Sequence, residues 1–137
     1  MMKLFMPLVG LTLFLTLAPV ARAQPLVCHA PLKPMRIVDL YFGRGGAAGV
    51  TERRWSRFLA QEVTPRFPNG LTVVDGAGQW REATGKRIVR ERTKVVTIAV
   101  AAGEVVADRI DAVVAAYKQR FRQKSVGVIM REGCGSF

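Results

Sequence analysis

Histidine is all but missing from this chain: His29 is the single one in 137 residues. That excludes a metal site built on two imidazoles and leaves one imidazole for acid–base work. His29 stands beside Cys28, but neighbours in an extended segment point opposite ways, so the two are poorly placed to act as a nucleophile and its base. Carboxylates are scarce as well, 10 against 21 lysines and arginines, for a formal net charge of +11. The glycine-rich stretch from Gly43 to Gly49 precedes a helix start and carries Arg44. Its spacing nevertheless matches neither the dinucleotide-binding nor the P-loop pattern, and no lysine opens the helix, so a flexible connection is expected there. The residue pattern therefore points to no catalytic residue, no metal ligand and no cofactor.

What the chain does have begins at its first residues. Lys3 is followed by an apolar run from Leu4 to Val20 and then by Ala21, Arg22 and Ala23. This is the layout of a secretory signal with an A-x-A cleavage site. Pro7, Gly10, Thr12, Thr16 and Pro19 interrupt the run, whereas a membrane-spanning helix needs about 20 predominantly apolar residues. Removal is expected rather than retention as an anchor, giving a periplasmic or secreted protein. Lipid attachment at Cys28 is not expected, because Pro25, Leu26 and Val27 precede it in place of a lipoprotein signal.

Residues 24–137 form the expected mature chain, close to the commonest size of a single domain with one core. Its two cysteines, Cys28 and Cys134, lie near its two ends. Export to an oxidising compartment makes a disulfide between them the expectation, with two free thiols as the alternative. The strong basic bias of an exported domain points to anionic envelope components rather than nucleic acid. The competing reading is an arginine-rich surface that is merely well solvated.

Hydrophobic periodicity gives the element order. Ile37 to Phe42 reads as a strand whose row Val38, Leu40, Phe42 is wholly apolar and whose other row, Ile37, Asp39, Tyr41, is mixed. Thr51 is placed to cap a helix with Glu52 in its first turn, and Val50 and Trp55 occupy the positions of a hydrophobic staple. Trp55, Phe58, Leu59 and Val63 recur at helical spacing until Pro65 and Pro68 stop the helix. Leu71 to Val74 reads as a strand, Asp75 to Gly78 as a turn, and Gln79 to Arg81 as a short continuation paired across Thr84 and Gly85. A long strand follows from about Arg87 to Val100. Then Val106, Ile110, Val113, Val114, Tyr117 and Phe121 keep the 3.6-residue period of a second helix, and Ser125 to Met130 closes with a strand. The order β-α-β-β-α-β predicts a ferredoxin-like α+β fold, with both helices on one face of an antiparallel sheet.

The stretch Asp39-Leu-Tyr-Phe-Gly43, with Trp55, Phe58 and the block Val63-Thr-Pro-Arg-Phe-Pro-Asn-Gly-Leu-Thr-Val-Val-Asp75, resembles the bacterial domain-of-unknown-function family 3574. Gly78-Gln-Trp-Arg81, Lys94-Val-Val96 and the terminal Cys134, Ser136 and Phe137 fit it too. The resemblance spans nearly all of the mature chain, and Thr-Pro-Arg-Phe-Pro is its most specific part. It implies a small exported domain and supplies no reaction to carry over.

Candidate binding residues follow from two local features. Gln79, Trp80 and Arg81 set an indole between an amide and a guanidinium after a glycine-rich turn, a grouping suited to stacking and polar recognition, although tryptophan is more often core. In a two-layer fold the row Ile37, Asp39, Tyr41, Val95, Thr97, Ala99 and Ile129 lies opposite the helices and is too apolar for a fully solvated face. A second copy of the chain, a terminal segment held by the disulfide, or a ligand would cover it. Asp39 and Tyr41 therefore join Gln79, Trp80 and Arg81 as tentative ligand-binding residues. The leading expectation is a non-enzymatic envelope domain that binds a partner or ligand through this face, either by homodimerisation or by holding an anionic envelope component. The alternative is a small enzyme with a pocket at the same face, lined by Asp39, Tyr41 and arginines; fold analogy alone supports it.

Overall fold

The computed structural model describes residues 24, 26–45, 49–82 and 85–137. The leader 1–23, Gly46 of the glycine-rich loop and Thr84 of the hairpin turn lie outside the described residues. Seven elements follow one another: β1 (Lys33–Gly43), α1 (Glu52–Phe58) running on into a π-helical turn (Leu59–Val63), β2 (Thr72–Arg81), β3 (Ile88–Ala101), α2 (Ala107–Phe121) and β4 (Gly127–Gly135). The four strands make one antiparallel sheet in the order β2-β3-β1-β4. This is the ferredoxin-like α+β arrangement with β1 and β3 in the centre.

Strand alternation sorts the faces as the apolar rows require. Val38, Leu40 and Phe42 of β1 stand opposite Ile98, Val96 and Lys94 of β3. The apolar members of these pairs pack against Trp55, Phe58, Ile110, Val113, Tyr117 and Phe121 of the helices. Complete burial of such side chains contributes about 1.5–3 kcal/mol each. Phe42 sits at the centre of an aromatic cluster, 4.7 Å from Tyr117 and 5.2 Å from Trp55 between ring centroids. The Tyr117 hydroxyl, buried with the ring, donates to the Gly43 carbonyl at 2.8 Å.

Local chemistry explains the helix ends. Thr51 accepts a bond from the Arg54 N–H at 3.3 Å as the N-cap, and Val50 and Trp55 are both buried. Pro65 has no N–H with which to continue α1. The last turn therefore widens, with Thr64 donating to the carbonyl of Leu59 five residues back. Glu62 and Arg66 pair one turn apart at 3.0 Å.

Three boundaries differ from the sequence reading. Asp75 to Gly78 is not a turn: β2 is one continuous strand, and Gly76 and Gly78 stand opposite Thr93 and Glu91. A Cβ on Gly78 would lie 2.7 Å from Thr93 Oγ1, so the glycine gives room to a side chain crossing from β3. β1 begins earlier, at Lys33, and β4 extends to Gly135 because each supplies the other's hydrogen-bonding partners, with Pro34 opposite Cys134. The polar run after Met130 conceals that pairing.

Cys28 and Cys134 form a disulfide, with Cα atoms 5.6 Å apart. By register Cys134 shares the alternation of Val128 and Met130, which oppose Leu40 and Val38. The bridge therefore leaves β4 on the helix side, and the lead-in that it holds does not start across the open face.

Candidate functional site

The open sheet face has two parts of different character. Around the middle of β1, Ile37 opposes Ala99, Asp39 opposes Thr97 and Tyr41 opposes Val95, with Ile129 across from Asp39 on β4. Asp39 is only 6 % exposed. It accepts from Thr97 Oγ1 at 2.7 Å and from the Arg131 guanidinium. Burial alone would raise its carboxyl, but these two donors outweigh it and hold the group below its ordinary range. Asp39 is thus a satisfied ion-pair member on a central strand rather than an edge residue, and both its oxygens are occupied.

The second part is a cavity of about 580 Å³ at the end of the sheet where β1 finishes and β3 and β4 begin. Tyr41 and Trp80 wall it, at 37 % and 42 % exposure. Gly43, Gly78 and Gly127, one on each of three strands, contribute lining without side chains. Glu91 lies among them. Its Oε2 accepts from the Gly45 N–H at 2.7 Å and its Oε1 from Trp80 Nε1 at 3.0 Å. One carboxylate thereby ties the end of β1 to the indole and fixes the ring's orientation. A Cβ on Gly43 would fall 2.6 Å from Glu91 Oε1, so Gly43 is where that side chain passes.

The far rim comes from the α2–β4 connection. Arg122 ends α2 in the left-handed region at φ 53°, a conformation costing a non-glycine residue about 1 kcal/mol. From there Arg122, Gln123, Lys124 and Ser125 run along the cavity. Gln123 Nε2 donates to the Gly45 carbonyl at 2.9 Å, so Gly45 is held from both sides. Lys124 lies 3.6 Å from Glu82, and Arg87 adds a further cation to the lining.

Of the five tentative binding residues, Tyr41, Gln79 and Trp80 come together on this cavity, while Asp39 and Arg81 are not among its lining residues. Arg81 ends β2, exposed, opposite Ile88. Glu91, Thr93 and the 122–125 segment escaped the sequence reading. The signal for two of them was present: continuing the row Ala99, Thr97, Val95 backwards by the strand period reaches Thr93 and Glu91.

Arg44, taken from sequence as the positive charge of a loop before a helix, is committed elsewhere. Its Nε donates to the Val50 carbonyl at 2.8 Å, and its guanidinium pairs with Glu52 at 2.9 Å. Lys94, buried beneath, reaches both Glu52 and Asp75 at 2.8 Å. These contacts pin the start of α1 to the sheet and leave no phosphate cradle among the described residues of the loop. Among the described residues no three His, Cys, Asp or Glu side chains gather as metal ligands.

Comparison with known proteins agrees with this architecture. A phage SAM lyase in complex with S-methyl-5'-thioadenosine superposes with a TM-score of 0.57 at 17 % identity, over 72 % of this chain and 81 % of the lyase. The apo form of a phage SAM lyase gives 0.51 at 16 % identity, over 79 % and 87 %. CutA from Synechococcus elongatus PCC7942 gives 0.48 at 11 % identity, over 76 % and 85 %. The likeness to the two lyase structures is one of fold. No curated protein matches the chain. The family model described as "Protein of unknown function (DUF3574)" matches residues 38–137, from the first core residue of β1 to the C-terminus, and the chain belongs to that family.

Proposed function

We propose that this protein is an exported envelope domain that binds a small ring-bearing ligand in the Tyr41–Trp80 cavity without transforming it. The observation that carries this reading is the pair of half-exposed aromatic rings beside three side-chain-free strand positions, with one indole locked by Glu91. An aromatic ring held in place presents a stacking surface at little entropic cost. Gln79, Gln123, Thr93 and Ser125 supply neutral polar groups, and Arg87, Arg122 and Lys124 supply positive charge. A hydroxylated ring carrying an acidic group, such as an acidic saccharide, suits that mixture. Catalysis is the weaker reading because both Glu91 oxygens are engaged by the protein's own donors and Asp39 is tied up outside the cavity.

Export is part of the proposal, and the disulfide is compatible with an oxidising compartment. A second copy of the chain is the partner that the open face suits, since Val74 and Ile129 on its two edge strands are 54 % and 51 % exposed. Native mass spectrometry of the protein purified from a periplasm tests these points together. The expected spectrum shows cleavage after Ala23, an oxidised cysteine pair and an added small-molecule mass that Trp80→Ala loses. An added mass retained by Trp80→Ala, or none in the wild type, refutes the cavity as the binding site. The subunit count decides between monomer and dimer.

A further inference from the structure

The helix layer carries a second cleft, of about 330 Å³, and four of the five described residues that line it are arginine: Arg53, Arg54, Arg57 and Arg120, with Phe121 as the fifth. We infer that this cleft is a separate binding site for a phosphate-bearing ligand. It shares no residue with the Tyr41–Trp80 cavity, so the inference stands independently of the ligand proposed there.

The spacing 53, 54, 57 gathers three guanidinium groups on one side of α1, and Arg120 in the last turn of α2 faces them across the cleft. Like charges four residues apart, such as Arg53 and Arg57, weaken a helix by about 0.2–0.5 kcal/mol. Several cations elsewhere in the molecule are in ion pairs: Arg44 and Lys94 with Glu52 and Asp75, Arg66 with Glu62, Arg109 with Glu104, Arg131 with Asp39. No carboxylate lines this cleft among the described residues. Arg53, Arg57 and Arg120 make no ion pair among the described residues. Arg120 donates instead to the neutral Gln61 Oε1 at 2.8 Å. Arg54 donates to the Gly49 carbonyl at 3.0 Å and lies 5.1 Å over the Phe121 ring. The neutral contact to Gln61 thus positions the Arg120 guanidinium without cancelling its charge.

The residue type narrows the ligand. Guanidinium is a planar fork that meets two oxygens of a phosphate at once, whereas an ammonium acts as a point charge. A phosphate offers enough oxygens to engage several forks together, and the buried Phe121 ring provides an apolar wall against which such contacts are less screened. The phosphate could be that of a soluble compound or of a lipid headgroup; the shared chemistry is what the cleft selects.

The test uses the oxidised mature domain in two arms, calorimetric titration with inorganic pyrophosphate and flotation with phosphatidylcholine vesicles with and without phosphatidic acid. Binding in either arm is expected to weaken by about tenfold or more in Arg53→Gln/Arg57→Gln. It should weaken less in Arg53→Lys/Arg57→Lys and stay unchanged in Lys33→Gln/Lys86→Gln, two exposed cations that line neither cavity. Circular dichroism confirms that each variant is folded. Pyrophosphate binding without flotation identifies a soluble ligand, and flotation without pyrophosphate binding identifies a lipid one. The inference is overturned if neither probe binds, if the Gln variant binds as the wild type does, or if both Gln pairs weaken binding equally, since diffuse charge would then suffice.

Discussion

Gly43→Ala tests the architecture of the cavity with a single methyl group. Gly43 is the last residue of β1 and does not have a positive φ, so alanine is acceptable to the backbone there. The new Cβ would lie 2.6 Å from Glu91 Oε1 and 2.8 Å from Cδ. Those atoms are the far end of a flexible side chain, so Glu91 should swing away rather than force the strands apart. The cost is then the loss of its bonds from Gly45 N–H and Trp80 Nε1. A hydrogen bond to a charged group contributes about 1.5–3 kcal/mol when protected, and the Trp80 bond is exposed. The expected destabilisation is therefore about 2 kcal/mol. Glu91→Ala should cost about the same, because it deletes the same two bonds. The double variant should cost no more than either alone, since the methyl group added at position 43 then meets no carboxylate, leaving a coupling energy of about 2 kcal/mol in the cycle. Urea unfolding supplies all three values. Trp80 emission should shift in each single variant, with buried Trp55 as the internal reference. Additive single effects, or a Gly43→Ala variant indistinguishable from wild type in both stability and emission, would refute the role given to Glu91.

Two further predictions concern the fold. Cys28→Ser/Cys134→Ser removes a bridge that closes 106 residues, for a loss of about 4–5 kcal/mol on the chain-entropy model out of a typical 5–15; a loss below about 1 kcal/mol by urea unfolding under otherwise equal conditions would show that the bridge is incidental. The second concerns pH. Hydrogen bonding to Lys94 holds Glu52 and Asp75 below their ordinary values, and Asp39 is lowered despite its burial. These groups contribute stability that is complete above about pH 5 and is lost as pH falls through their lowered native values. Burial would lower Lys94, but Asp75 and Glu52 raise it above its ordinary 10.5, and burial raises Tyr117. Stability should therefore also decline above about pH 10, where unfolded tyrosine and lysine release protons that the native state keeps. Urea midpoints across pH should fall at both ends, and Lys94→Met should flatten the acid limb. Equal acid slopes in the two proteins would contradict the Lys94 assignment.

Most of the fold was legible because it depends on local periodicity. Val38, Leu40 and Phe42 alternate as a core-facing row must, and Val106 to Phe121 keeps helical spacing because one face of α2 is buried. The misread segment was Asp75 to Gly78, where glycine composition imitates a turn. Its glycines answer instead to Thr93 and Glu91 on a strand distant in sequence. The same non-local cause hid the extension of β4, whose polar end is ordered by pairing with β1.

The candidate site was half legible. Trp80 stood out as an indole between an amide and a guanidinium, and Tyr41 as a member of the row expected opposite the helices; the sheet brings both to one cavity. Asp39 stood out in the same row as Tyr41 but is neutralised by Arg131, 92 residues later in the chain. By itself the sequence determined the element order, the face each strand turns to the helices and the cysteine pair available for a bridge, all consequences of the 2.0 and 3.6 periods and of composition. Only the tertiary structure decided which charges cancel and which converge. Polar contacts act over a few ångströms in space, and here they join Lys94 to Glu52 and Glu91 to Gly45 and Trp80, while packing brings Arg120 to the arginines of α1, without regard to separation along the chain.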